Sequence, residues 1–173
     1  MKTMLLIGGL GLLFILGFLG IRWIRVFLAS DYHHMLKALY KNTIPLVRPQ
    51  QIQHWEDYII LDTRAANEYA VSALPNAVWI NYPNLNEAVI STIPKHKKIL
   101  LYCSVGYRSE RIGEQLLSMG FSQVYNLYGG IFEWVNQGQT VVDSSGLNVN
   151  KVHGYSPSWG KWIKNSVEVV YTP

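Results

Sequence analysis

The 173-residue chain predicts an α/β fold, a parallel five-stranded sheet flanked by helices and preceded by one transmembrane helix. Three observations predict it. Short apolar runs alternate with helix-length patterns between residues 44 and 138, the mark of a sheet covered on both faces. One of these runs ends at Cys103, the only cysteine, and passes through a short loop into another helical pattern. Ahead of them lies an uninterrupted apolar and glycine stretch, Met4 to Ile21.

Met4 to Ile21 is long enough for a helix of about 27 Å at 1.5 Å per residue, and Trp23 to Leu28 extends it toward an interface. It reads as a membrane anchor rather than a cleaved leader. Only Lys2 and the amino terminus precede it, Arg22 and Arg25 follow at once, and Phe27-Leu28-Ala29-Ser30 makes a poor cleavage site. Residues 1–30 are thus expected to be anchor and flank, touching the lipid bilayer through residues 4–21. Arg22, Arg25, Lys37 and Lys41 outnumber the charges before the span and retain the C-terminal side in the cytoplasm. The expected localisation is a single-pass membrane protein with its catalytic domain cytoplasmic. Residues 31–43 follow as a helical linker, 44–138 as the domain, and 139–173 as a C-terminal extension packed on it.

Within the domain the expected strands are Leu46-Val47, Tyr58 to Leu61, Val78-Trp79-Ile80, Ile99 to Tyr102 and Val124 to Leu127. The expected helices lie near Pro49 to Trp55, Ala65 to Ala70, Leu85 to Ile93, Tyr107 to Met119 and Ile131 to Gln137, with Gly120 placed to end the fourth. Beyond Gly138, Val141-Val142-Asp143 and Ser144-Ser145-Gly146 predict a short strand and turn. Lys151 to Pro173 is rich in Trp and Tyr. Tyr155, Trp159 and Trp162 are expected to cover the domain's flank, because three large aromatics exposed on a tail are costly.

The segment Cys103-Ser104-Val105-Gly106-Tyr107-Arg108-Ser109 sits at the carboxyl end of a strand, where sheets of this kind hold their ligands. Peptide N–H groups freed at a helix start converge with those of a tight turn and favour negative charge. A sulfur held there becomes a thiolate, since helix N-termini and arginine lower a thiol pKa from its usual value of roughly 8.5. The thiolate is the nucleophile. Gly106 permits backbone angles closed to other residues, Arg108 offers an oxyanion a planar fork of donors, and Ser109 adds a hydroxyl. A lone cysteine is most often a small buried hydrophobe, but glycine and arginine at these offsets favour the reactive reading. Cys103 is therefore the candidate catalytic residue. Ser104, Val105, Gly106, Tyr107, Arg108 and Ser109 are the candidate substrate-binding residues.

Five segments follow one another in register. They are Ile59-Ile60-Leu61-Asp62-Thr63-Arg64, Asn67-Glu68-Tyr69, Leu74-Pro75-Asn76-Ala77, the cysteine loop, and Asn126-Leu127-Tyr128-Gly129-Gly130-Ile131-Phe132-Glu133-Trp134. On these residues the stretch from Ile44 to Gly138 resembles a single-domain rhodanese, a sulfurtransferase. The resemblance implies a two-step relay. Cys103 attacks the outer sulfur of a small anionic donor such as thiosulfate, becomes a persulfide, and passes the sulfur to cyanide or another thiol. It implies no cofactor. Asp62 and Arg64 match the family's Asp-x-Arg, which implies a supporting role beside the site, and Asp62 is also a favoured helix cap. Rhodanese loops place four residues between cysteine and arginine, as here, whereas phosphatases of the related fold place five. The chain departs from the family at Ser72-Ala73-Leu74-Pro75-Asn76-Ala77, which stands where Gly-His-Ile-Pro-Gly-Ala is common, so donor specificity is not carried over. Two other readings stay open: a membrane-tethered binding or regulatory module, and a phosphatase or arsenate reductase using the same bowl.

Composition narrows the field. The formal net charge of +4 is modest and partly gathered beside the apolar N-terminus, so no nucleic acid partner is expected. A single cysteine excludes an intrachain disulfide and a cysteine-based zinc cage. His33, His34, His54, His96 and His153 show no ligand spacing, so no metal is expected. An oxidised or persulfidated Cys103 must then be resolved by an outside thiol or nucleophile.

Overall fold

A computed structural model of the chain describes residues 21–171. Five short strands, Leu46–Val47 (β1), Tyr58–Asp62 (β2), Val78–Trp79 (β3), Lys98–Tyr102 (β4) and Gln123–Leu127 (β5), pair in the order β1-β5-β4-β2-β3. Every pairing is parallel. The expected five-stranded parallel sheet is thus present. β4 lies at its centre and reads as a continuous apolar run, Ile99 to Tyr102, because both of its faces are covered. Burying each such aliphatic side chain contributes about 1.5–3 kcal/mol.

The helices that cover the sheet are Ala66–Val71 (α3), Glu87–Ser91 (α4), Tyr107–Ser118 (α5) and Gly130–Asn136 (α6). One core joins Leu61, Ile99, Leu101 and Val124 of the strands to Ile90 of α4 and to Ile112 and Leu116 of α5. The predicted helix from Pro49 to Trp55 instead appears as two 3-10 turns, Pro49–Gln51 and Trp55–Asp57. The helix expected from Leu85 starts two residues later, because the Asn86 side chain accepts the Val89 N–H (3.4 Å) as its N-cap.

Chain order decides where the sheet can bind. From β2 the chain moves outward to β3, while β4 lies on the other side of β2 and leads on to β5. The strand order therefore reverses between β2 and β4, and the crevice at a switch point opens at the carboxyl ends of those strands. Asp62 ends β2 and Cys103 directly follows β4.

After α6, Val141–Val142 (β6) pairs antiparallel with Asn148–Val149 (β7). Lys151–His153 (β8) pairs in parallel with Glu168–Val170 (β9), and the short helix Pro157–Gly160 (α7) lies between them. The pairing of β8 with β9 was not visible in the sequence pattern. Ala73 and Val142 exchange two backbone hydrogen bonds (2.8 and 2.9 Å), and Ser72 Oγ donates to the Lys151 carbonyl (2.7 Å). Asn136 Nδ2 donates to the Trp162 carbonyl (2.9 Å). Trp162 is buried and Trp159 half-buried, but Tyr155 is exposed, against the expectation that all three aromatics pack.

The chain divides into two compact units, one ending at Tyr40 and the other starting at Lys41. In the first, residues 21–27 are helical (α1) and Tyr32–Leu39 forms α2, capped by Asp31, which accepts the His34 N–H (2.9 Å). Arg22 donates to the carbonyls of Ala38 and Leu39, so this cation neutralises the carboxyl end of α2. Most of the span expected at Met4 to Ile21 lies outside the described residues. Among the described residues no helix is long and apolar enough to cross a membrane. A spanning helix needs about 20 apolar residues, and residues 21–27 include Arg22 and Arg25. The expected single-pass membrane localisation with a cytoplasmic domain is corrected on this finding, while the expected transmembrane helix and its bilayer contact through residues 4–21 lie, but for Ile21, outside the described residues.

Candidate active site

The loop between β4 and α5 is built from both of its neighbours. Gly106 caps α5 with φ +91°, a conformation that side chains disfavour, and its N–H donates to Cys103 Sγ (3.1 Å). On the other side of the loop, the first free N–H groups of α6 are satisfied by loop carbonyls. Ile131 N–H donates to Cys103 O (2.9 Å) and Phe132 N–H to Ser104 O (3.1 Å). Because a trans peptide points its N–H opposite its C=O, the Ser104 carbonyl drawn toward α6 turns the Val105 N–H toward the sulfur. Gly130 makes the approach possible. A Cβ there would sit 2.2 Å from Cys103 O and 2.8 Å from Ser104 C, and its φ is +57°.

Cys103 is 1 % exposed. Burial pushes its thiol pKa up, but the charge of Arg108, the N–H groups of Ser109 and Val105 and the Ser109 hydroxyl outweigh that, so the pKa lies below its ordinary value. The sulfur is therefore buried among amides aimed at it rather than sealed in hydrocarbon. Ser109 Oγ donates to Asn126 Oδ1 (2.8 Å), and Asn126 Nδ2 donates to the Gly106 carbonyl (2.9 Å), so one β5 side chain locks both ends of the cap.

Arg108 is not an open fork. Its Nη1 donates to Glu68 Oε2 (2.6 Å) and its Nη2 to Glu68 Oε1 (2.7 Å) and to Ser104 Oγ (2.9 Å). Ser104 Oγ in turn donates to Glu68 Oε1 (2.8 Å). Glu68 lies in the first turn of α3 and also accepts the Ala65 N–H (3.0 Å). Burial raises the Glu68 pKa, but the hydrogen bonds and charge of Arg108 and the donors from Ala65 and Ser104 hold it down to about 2. Burial lowers the Arg108 pKa, and Glu68 and Cys103 more than restore it. In the sequence Glu68 stands out only as part of Asn67-Glu68-Tyr69. Its place at a helix start was legible, but its partner forty residues away was not.

The other predicted residues fall around this centre. Tyr107 opens α5 with its ring under the Arg111 guanidinium (3.5 Å), and Val105 is buried. Asp62 and Arg64 are both fully buried as a pair (Nη2 to Oδ2, 2.6 Å), and Arg64 Nη2 also donates to the Ser72 carbonyl (2.6 Å). Arg64 lies over the Tyr102 ring (5.5 Å), and Tyr102 Oη accepts the Leu74 N–H (3.1 Å). Burial lowers the Arg64 pKa, but the charge of Asp62 raises it past its ordinary value. The pair thus ties the ends of β2 and β4 to the turn after α3. Asp62 does not cap α3, whose N-cap is Ala65. Among the described residues no cluster of His, Cys, Asp and Glu could hold a metal ion.

Comparison with known proteins places the chain among sulfurtransferase relatives. A sulfurtransferase of Allochromatium vinosum is 32 % identical over 97 residues, covering 56 % of this chain and 90 % of that one. The thiosulfate sulfurtransferase GlpE of Coxiella burnetii is 32 % identical over 93 residues, 49 % of this chain and 86 % of that one. A solved rhodanese-related protein of Thermoplasma volcanium superposes with a TM-score of 0.52 at 25 % identity, covering 57 % of this chain and 98 % of that one. The family described as "Rhodanese-like domain" matches residues 49–137. With that match running from the first 3-10 turn to the end of α6 and enclosing the whole cysteine loop, the chain belongs to the rhodanese-like domain family.

Proposed function

We propose that the protein is a sulfurtransferase that carries sulfane sulfur on Cys103. The observation that carries this reading is the Gly106 N–H directed at a sulfur whose pKa is lowered despite burial. A thiolate so held attacks the outer sulfur of a donor such as thiosulfate. The Cys103 S–S bond forms, the donor's S–S bond breaks, and sulfite leaves with the electron pair. The persulfide keeps a single negative charge in the same cup, where the loop amides stabilise it without reorganising. An acceptor, cyanide or a thiol, then attacks the terminal sulfur and releases the Cys103 thiolate.

Each part of the loop has a place in this cycle. Val105, Gly106 and Ser109 supply donors around the sulfur, Ser104 links Arg108 to Glu68, Tyr107 begins the helix that follows, and Arg108 supplies the charge that lowers the thiol pKa. Asp62 and Arg64 brace the crevice from below. Glu68 is a positioning residue, since it acts through Arg108.

Thiosulfate treatment followed by peptide mass spectrometry tests the reading. The Cys103 peptide is expected to gain one sulfur, about 32 Da, and to lose it on addition of cyanide with thiocyanate formed. Cys103→Ser should abolish both, with the fold retained because the change removes one soft nucleophile and little volume. Thiocyanate formation by the serine variant at the parent rate would refute the proposal. Absence of any mass gain in the parent would favour a binding module.

A further inference from the structure

Tyr155 stands outside the family match, in the turn after β8, yet its ring lies beside Arg108 of the cysteine loop. Arg108 Cζ lies 5.2 Å from the ring centroid, within cation–π range. The backbone there is left-handed (φ +62°), a region that a side chain enters only at a cost in free energy. The surrounding turn enforces it. Tyr155 N–H donates to His153 Nδ1 (3.0 Å), Gly154 N–H to the Val170 carbonyl (3.0 Å), and Ser156 N–H to the Gly154 carbonyl (2.7 Å). A Cβ on Gly154 would sit 2.6 Å from Tyr171, so the turn is seated closely against β9 and the residue after it. The strain does not serve to bury the ring, because Tyr155 remains 52 % exposed. It serves to present an aromatic surface beside Arg108, as strained residues at ligand sites do.

The charges beside it point the same way. Glu68 grips both terminal nitrogens of Arg108 and Ser104 Oγ accepts from one of them, so little of the guanidinium is left for an incoming anion, and with a Cys103 thiolate the three charged groups sum to one negative charge. That balance disfavours a dianion such as thiosulfate more than a monoanion. A singly charged donor is repelled less, and an organic group on it gains contact with the Tyr155 ring.

Resting on the reading of Cys103 as a sulfur carrier, we propose that Tyr155 is a specificity-determining residue. It selects sulfane sulfur borne on an organic group, such as an aryl or alkyl thiosulfonate or an organic persulfide, over inorganic thiosulfate. With a thiosulfonate the Cys103 thiolate attacks the terminal sulfur and the new S–S bond forms. The donor's S–S bond breaks, and the electron pair departs with the sulfinate. With an organic persulfide the leaving group is the thiolate. Neither reaction needs an external oxidant or reductant.

The test compares benzenethiosulfonate with thiosulfate, cyanide being the acceptor, as a ratio of kcat/KM values in the full chain. Tyr155→Ala should lower the aryl-to-inorganic ratio about fivefold, the scale of one lost aromatic contact. Tyr155→Phe should retain the ratio. Tyr155→Gly should lose it while melting no lower than the parent, since glycine accepts the positive φ without strain. An unchanged ratio in Tyr155→Ala, with Cys103 still gaining sulfur, would overturn the Tyr155 assignment alone. Failure of the parent Cys103 to gain sulfur from either donor would overturn the sulfur-carrier reading with it.

Discussion

Arg108 and Glu68 act on Cys103 from opposite directions, and their burial makes each depend on the other. The Glu68 side chain is 2 % exposed and that of Arg108 14 %. Removing one member of a buried pair leaves the other uncompensated, at a cost of about 3–5 kcal/mol. Arg108→Ala should therefore lower the unfolding free energy by about 3 kcal/mol, measured by urea titration at neutral pH. It should also change the chemistry. Arg108 is the foremost cause lowering the Cys103 pKa, so its removal lets burial raise that pKa. Less thiolate then exists at any given pH, and the rise of persulfidation rate with pH should move to higher pH. An unmoved profile would show that the loop amides alone set the thiolate fraction.

At the scale of the elements, α6 shapes the catalytic loop from behind. Its first N–H groups hold the Cys103 and Ser104 carbonyls, and the second of these contacts turns the Val105 N–H toward the sulfur. Gly130 permits that approach, and a methyl group there would collide with backbone, which has no rotamer to escape into. Gly130→Ala should therefore destabilise by about 2–3 kcal/mol and suppress Cys103 persulfidation. Gly138→Ala is the matched control. It has the same sign of φ (+74°) but open space around the added carbon, so only the conformational cost of about 1 kcal/mol remains, with persulfidation kept. Thermal unfolding and the mass measurement together separate the two. Equal effects of the two variants would mean that contact between α6 and the loop does not shape the bowl.

For the molecule as a whole, the buried carboxylate of Glu68 links the site to acid stability. Its pKa is about 2 in the folded chain, against roughly 4.3 for an ordinary glutamate. A depressed carboxylate contributes stability that is complete above the unfolded value and is lost as pH falls from about 4 through about 2. The loss from this group is roughly 3 kcal/mol. Urea titrations at pH 7, 4 and 3 should show about half of it by pH 3, and Glu68→Gln should flatten that part of the acid slope. The strands, the helix after Cys103 and the placement of the cysteine at a strand's carboxyl end were legible because period, capping and turn chemistry act within a few residues. Leu46–Val47 and Tyr107–Ser118 carry those signals almost undiluted. Within residues 21–27, hydropathy alone takes no account of Arg22 engaging the end of α2. By itself, the sequence determined the parallel α/β sheet and a loop of amides following its central strand, both consequences of local backbone preference and apolar burial. Only the tertiary structure decided that Glu68 pairs with Arg108 and that the turn after β8 sets Tyr155 beside Arg108. Such contacts join residues forty or more positions apart, and their energy exists only once the fold has brought the charges and rings together and excluded water.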